Sequence, residues 1–103
     1  MVSQEINSAF ILATLKELSK RLRNEFAICH IGLYGSFARN EQSPDSDIDL
    51  VFAIDDSRYL SLTEREKLYR LLRRKLGRRP DLVNEKVMNP FVKYLMQKDV
   101  IYV

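Results

Sequence analysis

"YGSFARNEQSPDSDIDL", residues 34–50, places two aspartates on one face of an otherwise apolar strand. Asp47 and Asp49 are two residues apart, a separation at which strand side chains point to the same side. Carboxylates this close repel each other and resist burial unless a positive charge lies among them. A hard dication with oxygen ligands, above all Mg²⁺, would remove that repulsion. The alternative for an isolated DxD pair is that both carboxylates are hydrated at a strand end.

A calcium loop of the DxDxDG type is another alternative, because Asp45 lies two residues before Asp47. This alternative fails where the loop requires a glycine for its sharp turn, since Leu50 occupies that position. An apolar strand then follows. The segment is better explained as a turn that leads into a strand carrying the carboxylates.

A phosphate-binding element precedes the carboxylates. Gly35 allows the backbone to approach a ligand closely, and Ser36 stands where a short helix in SFARNE would begin. A helix start presents free amides and the positive end of a dipole, here together with a hydroxyl. Only the turn QSPDS, residues 42–46, separates this element from Asp47. A nucleoside triphosphate with Mg²⁺ would satisfy both halves of the segment.

The first half of the chain predicts a helix and two strands around this segment. Apolar residues at helical spacing within residues 4–24 indicate an amphipathic helix. Its predicted buried stripe consists of Ile11, Leu15, Leu18 and Leu22. FAICHIGLY, residues 26–34, is short and almost wholly apolar, which predicts a strand covered on both faces. In the strand that begins at Asp47, we expect Ile48, Leu50 and Phe52 on the face opposite to Asp47, Asp49 and Val51.

The second half continues the alternation of helices and strands. SLTEREKLYRLLRRKLG, residues 61–77, predicts a helix that ends at Gly77. Its start has two candidate capping boxes, Ser61 with Glu64 and Thr63 with Glu66. RPDLVNE predicts a short strand in which Pro80 is tolerated only at the beginning or on an edge.

The end of the chain predicts one further helix and an edge strand. Asn89 and Pro90 form a good N-cap and first-turn pair for a helix that runs to about Gln97. VIYV, residues 100–103, is an edge-strand candidate. The whole pattern predicts one α/β or α+β domain spanning residues 1–103.

Composition narrows the class of protein. The chain has 103 residues, 46% of them hydrophobic, which suits one globular domain and leaves no room for a separate substrate-binding domain. No apolar run approaches the roughly 20 residues of a membrane span. The N-terminus lacks the features of a secretory signal, and the single cysteine, Cys29, excludes an internal disulfide. We therefore expect a cytoplasmic protein without a membrane role, and if it needs a substrate platform, another chain must supply it.

Charge gives a weaker indication. The formal net charge is +3, with basic residues concentrated in residues 69–79. This segment is either a solvated helix face or a surface that docks an acidic partner or a phosphate-bearing ligand. The bias is too modest for a dedicated nucleic-acid binder, so no direct nucleic-acid binding is expected.

Several other residues have simple structural explanations. Cys29 and His30 are adjacent but lack the further ligands of a zinc site, so packing in the core or at an interface is expected. The same packing is expected of the five tyrosines, which are Tyr34, Tyr59, Tyr69, Tyr94 and Tyr102. Exposed apolar residues of the C-terminal segment would mark a partner or self-association surface. The candidates are Phe91, Tyr94 and Val103.

The spacing of the central motif resembles a known superfamily. Gly35-Ser36, ten residues and then Asp47-Ile48-Asp49 match the GS-x10-DxD signature of the DNA polymerase β-like nucleotidyltransferases. GSFARNEQSPDSDIDL, followed by GRRPDLVNEKVMNP and the ending DVIYV, resembles the minimal (MNT-type) members, which include antitoxins of HEPN/MNT toxin–antitoxin pairs. The likeness runs from about residue 28 to the end. It implies the polymerase β-like palm fold, a small mixed β-sheet flanked by helices.

The resemblance also implies a ligand set. Members of the family hold two Mg²⁺ ions with the DxD pair and a third aspartate on a neighbouring strand, which here means Asp47, Asp49 and Asp81. Asp81 is in addition the candidate base for the acceptor's proton. Three other acids lie downstream of the motif. Asp55 and Asp56 are at the far end of the second strand, and Glu85 lies past the short strand, so they are weaker candidates for the third ligand.

Phosphate binding is likewise implied by position. The family's glycine–serine pair, here Gly35 and Ser36, holds the β and γ phosphates of ATP. Arg39 matches the arginine of the family's GSxARG stretch, and it either neutralises phosphate charge or buttresses the loop. Asn40 stands where the family often has glycine, and asparagine is the next most tolerant residue at positive φ.

The implied function is Mg²⁺-dependent transfer of AMP from ATP to a hydroxyl of a partner protein. By resemblance, that partner is a HEPN-family toxin, which the chain would silence as an antitoxin within a hetero-oligomer; a homodimer is a second assembly to test. One alternative is a non-catalytic antitoxin that neutralises its partner by complex formation. Another is transfer to a small molecule of the antibiotic type, with a partner chain completing the pocket. Retention of the full acidic set favours the enzyme.

Overall fold

Four strands and four helices alternate along residues 6–103, which are the residues described by this computed structural model. In chain order they are α1 (Ser8–Phe26), β1 (Ile28–Tyr34), α2 (Gly35–Ala38), β2 (Ile48–Ile54), α3 (Leu62–Leu76), β3 (Pro80–Asn84), α4 (Pro90–Asp99) and β4 (Ile101–Tyr102). A 3₁₀ turn, Glu85–Val87, joins β3 to α4. Every predicted helix and strand is present, and of the predicted first helix only residues 4 and 5 lie outside the described range.

The strands form one mixed sheet in the order β3-β2-β1-β4. β1 pairs antiparallel with β2 and with β4, whereas β2 and β3 are parallel. Parallel neighbours need a crossover, and α3 supplies it between β2 and β3. β3 and β4 are the edge strands, so the placement of Pro80 at the start of an edge strand is confirmed. The predicted mixed sheet flanked by helices is likewise confirmed.

The main core lies between one face of the sheet and helices α1 and α3. The predicted stripe of α1 is buried, and Ile48, Leu50 and Phe52 of β2 meet it from the sheet. α3 adds four buried leucines, Leu68, Leu71, Leu72 and Leu76. This continuous apolar layer fixes the register of β2, because a slip by one residue would bury its carboxylates.

A smaller cluster lies on the opposite face of the sheet. Val51 of β2 packs there against Met88 and Met96, which come from the loop before α4 and from α4 itself. The cluster covers the middle of this face. Asp49 beside it is half-buried, whereas Asp47 and Asp81 are exposed. The three carboxylates are therefore accessible from solvent.

Helix ends follow the predicted signals. Of the two candidate capping boxes, the one present at the start of α3 is Ser61 with Glu64, not Thr63 with Glu66. Gly77 ends α3 in the left-handed conformation at φ 76. The Asn89 side chain accepts from the amide of Phe91, and α4 continues two residues past the predicted end at Gln97.

One prediction about packing is wrong. β1 is not covered on both faces, because Cys29 and His30 are exposed at a bulge where the pairing register with β2 shifts. β4 is only two residues long and pairs with Gly32 and Leu33, so it does not reach this end of β1. Of the core or interface packing expected for the tyrosines, core packing does not apply to Tyr59 and Tyr94, which are 81% and 58% exposed, and packing at an interface stays a prediction. Within residues 6–103, no helix has the length and apolar character needed to cross a bilayer.

Candidate active site

Strand pairing brings the predicted acids together. Asp49 of β2 is level with Asp81 of β3 in the parallel register, and Asp47 immediately precedes β2. Neighbouring strands are about 4.8 Å apart, and residues level in register share a face. Of the four downstream acids considered, Asp81 is therefore the one beside the DxD pair.

The remaining acids are engaged elsewhere. The Asp55 carboxylate accepts from the amide and hydroxyl of Ser57, at 2.9 and 2.8 Å. Asp56 forms an ion pair with Lys86. Glu85 lies 3.5 Å from the His30 imidazole and accepts from the Tyr102 hydroxyl at 3.3 Å.

The electrostatics of the acidic site are unfavourable for three anions. Burial raises the pKa of Asp49 to about 6, and the negative charges of Asp81 and Asp47 contribute to the rise, opposed by Arg39. Burial and the charges of Asp49 and Asp81 also raise the pKa of Tyr34, on the adjacent strand, to about 12. A bound cation would reverse this repulsion, so the donor chemistry of the site fits a hard metal ion.

The glycine of the motif, Gly35, lies against Asp49. Gly35 has φ +75, and a Cβ built on it would lie 2.2 Å from Oδ2 of Asp49. Any other residue would therefore both strain the backbone and displace the carboxylate. The first turn of α2, with Ser36 at its second position, begins directly against the acidic site.

The end of α2 matches the expectation for Asn40. Asn40 has φ 59, the left-handed conformation that the family's glycine would take without strain, and its amide donates to the Phe37 carbonyl at 3.2 Å. The amide of Glu41 closes the same turn by donating to the Ser36 carbonyl at 2.8 Å. The departure from the family pattern thus preserves the local backbone.

Arg39 contacts other protein groups. Its guanidinium donates to Asp99 of α4 at 2.9 Å and to Glu41 at 3.1 Å. Of the two roles expected for Arg39, these contacts support the buttress, because they tie the loop after α2 to the last turn of α4. Asp99 is a residue that the sequence gave no reason to select.

Two arginines before β3 are also missed by sequence reasoning. Arg79 lies with its Nε 3.7 Å from Oδ1 of Asp47, and Nη1 of Arg78 donates to the carbonyls of Ser43 and Ser46, each at 3.1 Å. Both belong to the basic segment 69–79, for which a solvated helix face and a docking surface were the two interpretations. The usable signal was Gly77, since residues after a helix-ending glycine leave that face.

The basic segment borders a separate groove. This groove, of about 440 Å³, lies between α1 and α3 and therefore on the helix side of the sheet, away from the acids. Its charged lining includes Arg21, Lys67, Arg70 and Arg74, together with Glu25 and Glu64. Docking of an acidic or phosphate-bearing partner on this segment stays a prediction.

Comparison with known proteins identifies the family. A family model described as "Nucleotidyltransferase domain" matches residues 15–103. The chain belongs to the nucleotidyltransferase domain family. This nucleotidyltransferase is 33% identical over 84 residues to "Protein adenylyltransferase MntA" of Thermococcus cleftensis, covering 82% of this chain and 83% of the relative. It is 38% identical over 90 residues to MJ1379 of Methanocaldococcus jannaschii, provisionally named a protein adenylyltransferase, covering 86% and 90% of the two chains.

Solved structures confirm the fold of the nucleotidyltransferase. A structure provisionally described as a minimal nucleotidyltransferase superposes with a TM-score of 0.77 at 24% identity, covering 96% of this chain and 98% of that one. A crystal structure of a toxin–antitoxin with AMP-PNP gives a TM-score of 0.69 at 24% identity, covering 84% and 69%. The solved structures thus confirm the predicted fold, and the family model and the relatives confirm the predicted nucleotidyltransferase family, so the chain is an enzyme of the nucleotidyltransferase class.

Proposed function

We propose that this chain transfers AMP from ATP to a hydroxyl of a partner protein, in a Mg²⁺-dependent reaction. The observation that carries the proposal is the alignment of Asp49 with Asp81 in the β2–β3 register, with Gly35 in contact with Asp49. An acidic cluster against a glycine-started helix suits a metal-bound triphosphate. Relatives at 33 to 38% identity named as protein adenylyltransferases support AMP as the transferred group and a protein as acceptor.

Two Mg²⁺ ions are proposed to bind the carboxylates of Asp47, Asp49 and Asp81. Within residues 6–103, no three carboxylate, imidazole or thiol groups already surround one point, so ion binding would draw these side chains together. The exposed pair between Asp47 and Arg79, at 3.7 Å, is a weak contact that such a movement would break. When bound, the ions would neutralise phosphate charge and polarise the α-phosphate.

The proposed reaction is an in-line displacement at the α-phosphorus of ATP. The acceptor's hydroxyl oxygen forms a bond to this phosphorus, and the bond from phosphorus to the oxygen that bridges to the β-phosphate breaks. Pyrophosphate leaves with the bond's electron pair, and the hydroxyl proton passes to the Asp81 carboxylate and then to water. Asp81 suits this role because it is exposed on an edge strand, where an acceptor can approach.

Gly35 and Ser36, here called the phosphate cradle, start the cradle helix α2 and are proposed to orient the triphosphate. Gly35 permits close approach of the β and γ phosphates to the backbone, and the Ser36 hydroxyl and amide would donate to them. Arg39 contributes from a distance, because its bonds to Asp99 and Glu41 hold the loop that follows.

The proposed partner is a HEPN-family toxin, and the chain acts as its antitoxin. A neighbouring structure of 20% identity is described as a tri-AMPylated Shewanella oneidensis HEPN toxin in complex with an MNT antitoxin. This chain also has a surface that suits a protein partner, because α4 and the C-terminus expose a group of large apolar side chains. They are Phe91, Tyr94, Leu95, Tyr102 and Val103.

That apolar surface also favours a second candidate function, neutralisation by complex formation alone. The two functions separate in one experiment. The chain, a co-expressed HEPN-family protein and Mg²⁺ are incubated with ATP labelled at the α or the γ phosphate. We expect the partner to acquire label from the α position only, and Asp49→Asn to abolish this labelling.

The matched control for this experiment is Asp45→Asn, the same substitution at an exposed aspartate four residues away. This variant is expected to label the partner as well as the native chain does. A stable complex in which neither labelled ATP marks the partner would establish the binding function instead.

A further inference from the structure

The Arg78 side chain links the segment after α3 to the turn between α2 and β2. It follows Gly77 at the end of α3, and one guanidinium nitrogen, Nη1, donates to the carbonyls of both Ser43 and Ser46 at 3.1 Å. These carbonyls belong to the turn between the phosphate cradle and the first aspartate. Ser46 is the residue immediately before Asp47.

The same guanidinium packs on the cradle helix. Its central carbon lies 5.4 Å from the centre of the Phe37 ring, and Phe37 is fully buried in α2, directly after Ser36. Three residues further along the chain from Arg78 is Asp81. One side chain therefore contacts the cradle helix and the turn before Asp47, and its backbone leads into the strand of the third acid.

We propose that Arg78 is a positioning residue that fixes the phosphate cradle relative to the carboxylates. This inference rests on the proposed function for the identity of the ligands, and on the contacts above for the geometry. Arg78 itself would touch neither nucleotide nor metal.

Among residues 6–103, the other hydrogen bonds of this turn, residues 42–46, are short-range. The Ser43 amide donates to the Ser46 hydroxyl at 2.9 Å, and the Ser46 amide donates to the Ser43 carbonyl at 3.1 Å. Both bonds join residues within the turn, so they give it a shape but do not anchor it to the rest of the fold. Arg78 anchors the turn across 32 and 35 residues of chain, and just after the turn the Ile48 amide donates to the Arg79 carbonyl at 3.0 Å.

Arginine suits this position better than lysine does. A planar guanidinium donates in fixed directions while one face stacks on an aromatic ring, whereas an ammonium is a compact, strongly hydrated charge. The side chain of the next residue, Arg79, is 71% exposed, and its guanidinium points to the Asp47 carboxylate. Arg79 thus lies beside a carboxylate of the acidic site, whereas Arg78 donates to backbone carbonyls of the turn.

The test compares Arg78→Lys with Arg65→Lys, an equivalent change at an exposed arginine of α3. Amide hydrogen exchange of residues 41–47 is measured in the ligand-free proteins. Binding of a non-hydrolysable ATP analogue is then titrated at several Mg²⁺ concentrations. Arg78→Lys is expected to speed exchange in this segment and to raise the half-saturating Mg²⁺ concentration by about tenfold, the usual effect of losing a group that orients metal ligands. Arg65→Lys should change neither.

A second variant, Pro44→Gly, loosens the same turn without altering Arg78. If Arg78 acts through the turn, the double variant binds the analogue little more weakly than the weaker single variant. If Arg78 contacted phosphate directly, the two losses would multiply and exchange of residues 41–47 in Arg78→Lys would match the native chain; either result overturns the inference. Failure of the native chain to bind the analogue at any Mg²⁺ concentration would instead overturn the proposed function, and the exchange data would still decide the role of Arg78.

Discussion

Replacing Asp49 by asparagine should stabilise the metal-free protein at neutral pH while abolishing its activity. A pKa raised from 3.8 to about 6 corresponds to about 3 kcal/mol, at about 1.36 kcal/mol per pKa unit. Because Asp49 is only half-buried, solvent screening reduces this to roughly 1 to 2 kcal/mol. For a domain of about 100 residues that is a gain of roughly 5 to 10 °C in melting temperature.

The sign of the pH dependence follows from the direction of the pKa change. A carboxyl whose pKa is raised by folding binds its proton more tightly in the native chain, so stability falls as the pH rises between about 4 and about 6. Below about pH 4 both states are protonated and the cost is absent. The melting temperature of Asp49→Asn should therefore exceed that of the native protein at pH 8 and equal it near pH 4.

The assay is thermal unfolding followed by circular dichroism, at several pH values, in chelator and then in Mg²⁺. Asp45→Asn serves as the control, since it removes the same charge from the exposed turn. Addition of Mg²⁺ should stabilise the native chain and Asp45→Asn but leave Asp49→Asn unchanged. Equal melting temperatures for Asp49→Asn and native protein at pH 8 in chelator would refute the argument from repulsion.

Further predictions concern single side chains. Gly35→Ala should cost more than about 1 kcal/mol and lose nucleotide binding, measured by melting and titration, because of its positive φ and the contact with Asp49. Ser61→Ala removes a capping box and should cost about 1 kcal/mol by denaturant titration, with activity unchanged. Met96→Ala empties part of the smaller cluster and should cost about 2 kcal/mol in the same assay. Tyr94→Ser should leave stability within about 0.5 kcal/mol but weaken partner capture in a pull-down.

Local signals in the sequence were sufficient to predict the elements of the fold. The stripe of α1 and the alternation of β2 follow from one-sided burial, and the ends of α3 and α4 follow from Ser61, Gly77 and Asn89. The resemblance to a family implied a mixed sheet, but the order of the strands and their directions were not predicted, because pairing depends on contacts between residues far apart in the chain.

The acids of the candidate site were predictable because a motif defined them. The side chains that support the site through contacts with residues far away in the sequence were not predictable. Spacing selected Asp47 and Asp49, and the strand register now places Asp81 beside them. Asp99 and Arg78 were missed because each bonds a group about 30 or more residues away. The exposure of Cys29 was missed for a related reason, since a bulge and a short edge strand cannot be read from the apolar composition of β1.

Intact-mass spectrometry of the HEPN-family partner tests the central claim most directly. The partner is incubated with this chain, ATP and Mg²⁺, alongside Asp49→Asn and Asp45→Asn. The account predicts that the partner gains mass in whole AMP units with the native chain and with Asp45→Asn, and gains none with Asp49→Asn. A partner of unchanged mass that is nevertheless bound and inactive would contradict it and show that this nucleotidyltransferase neutralises by binding alone.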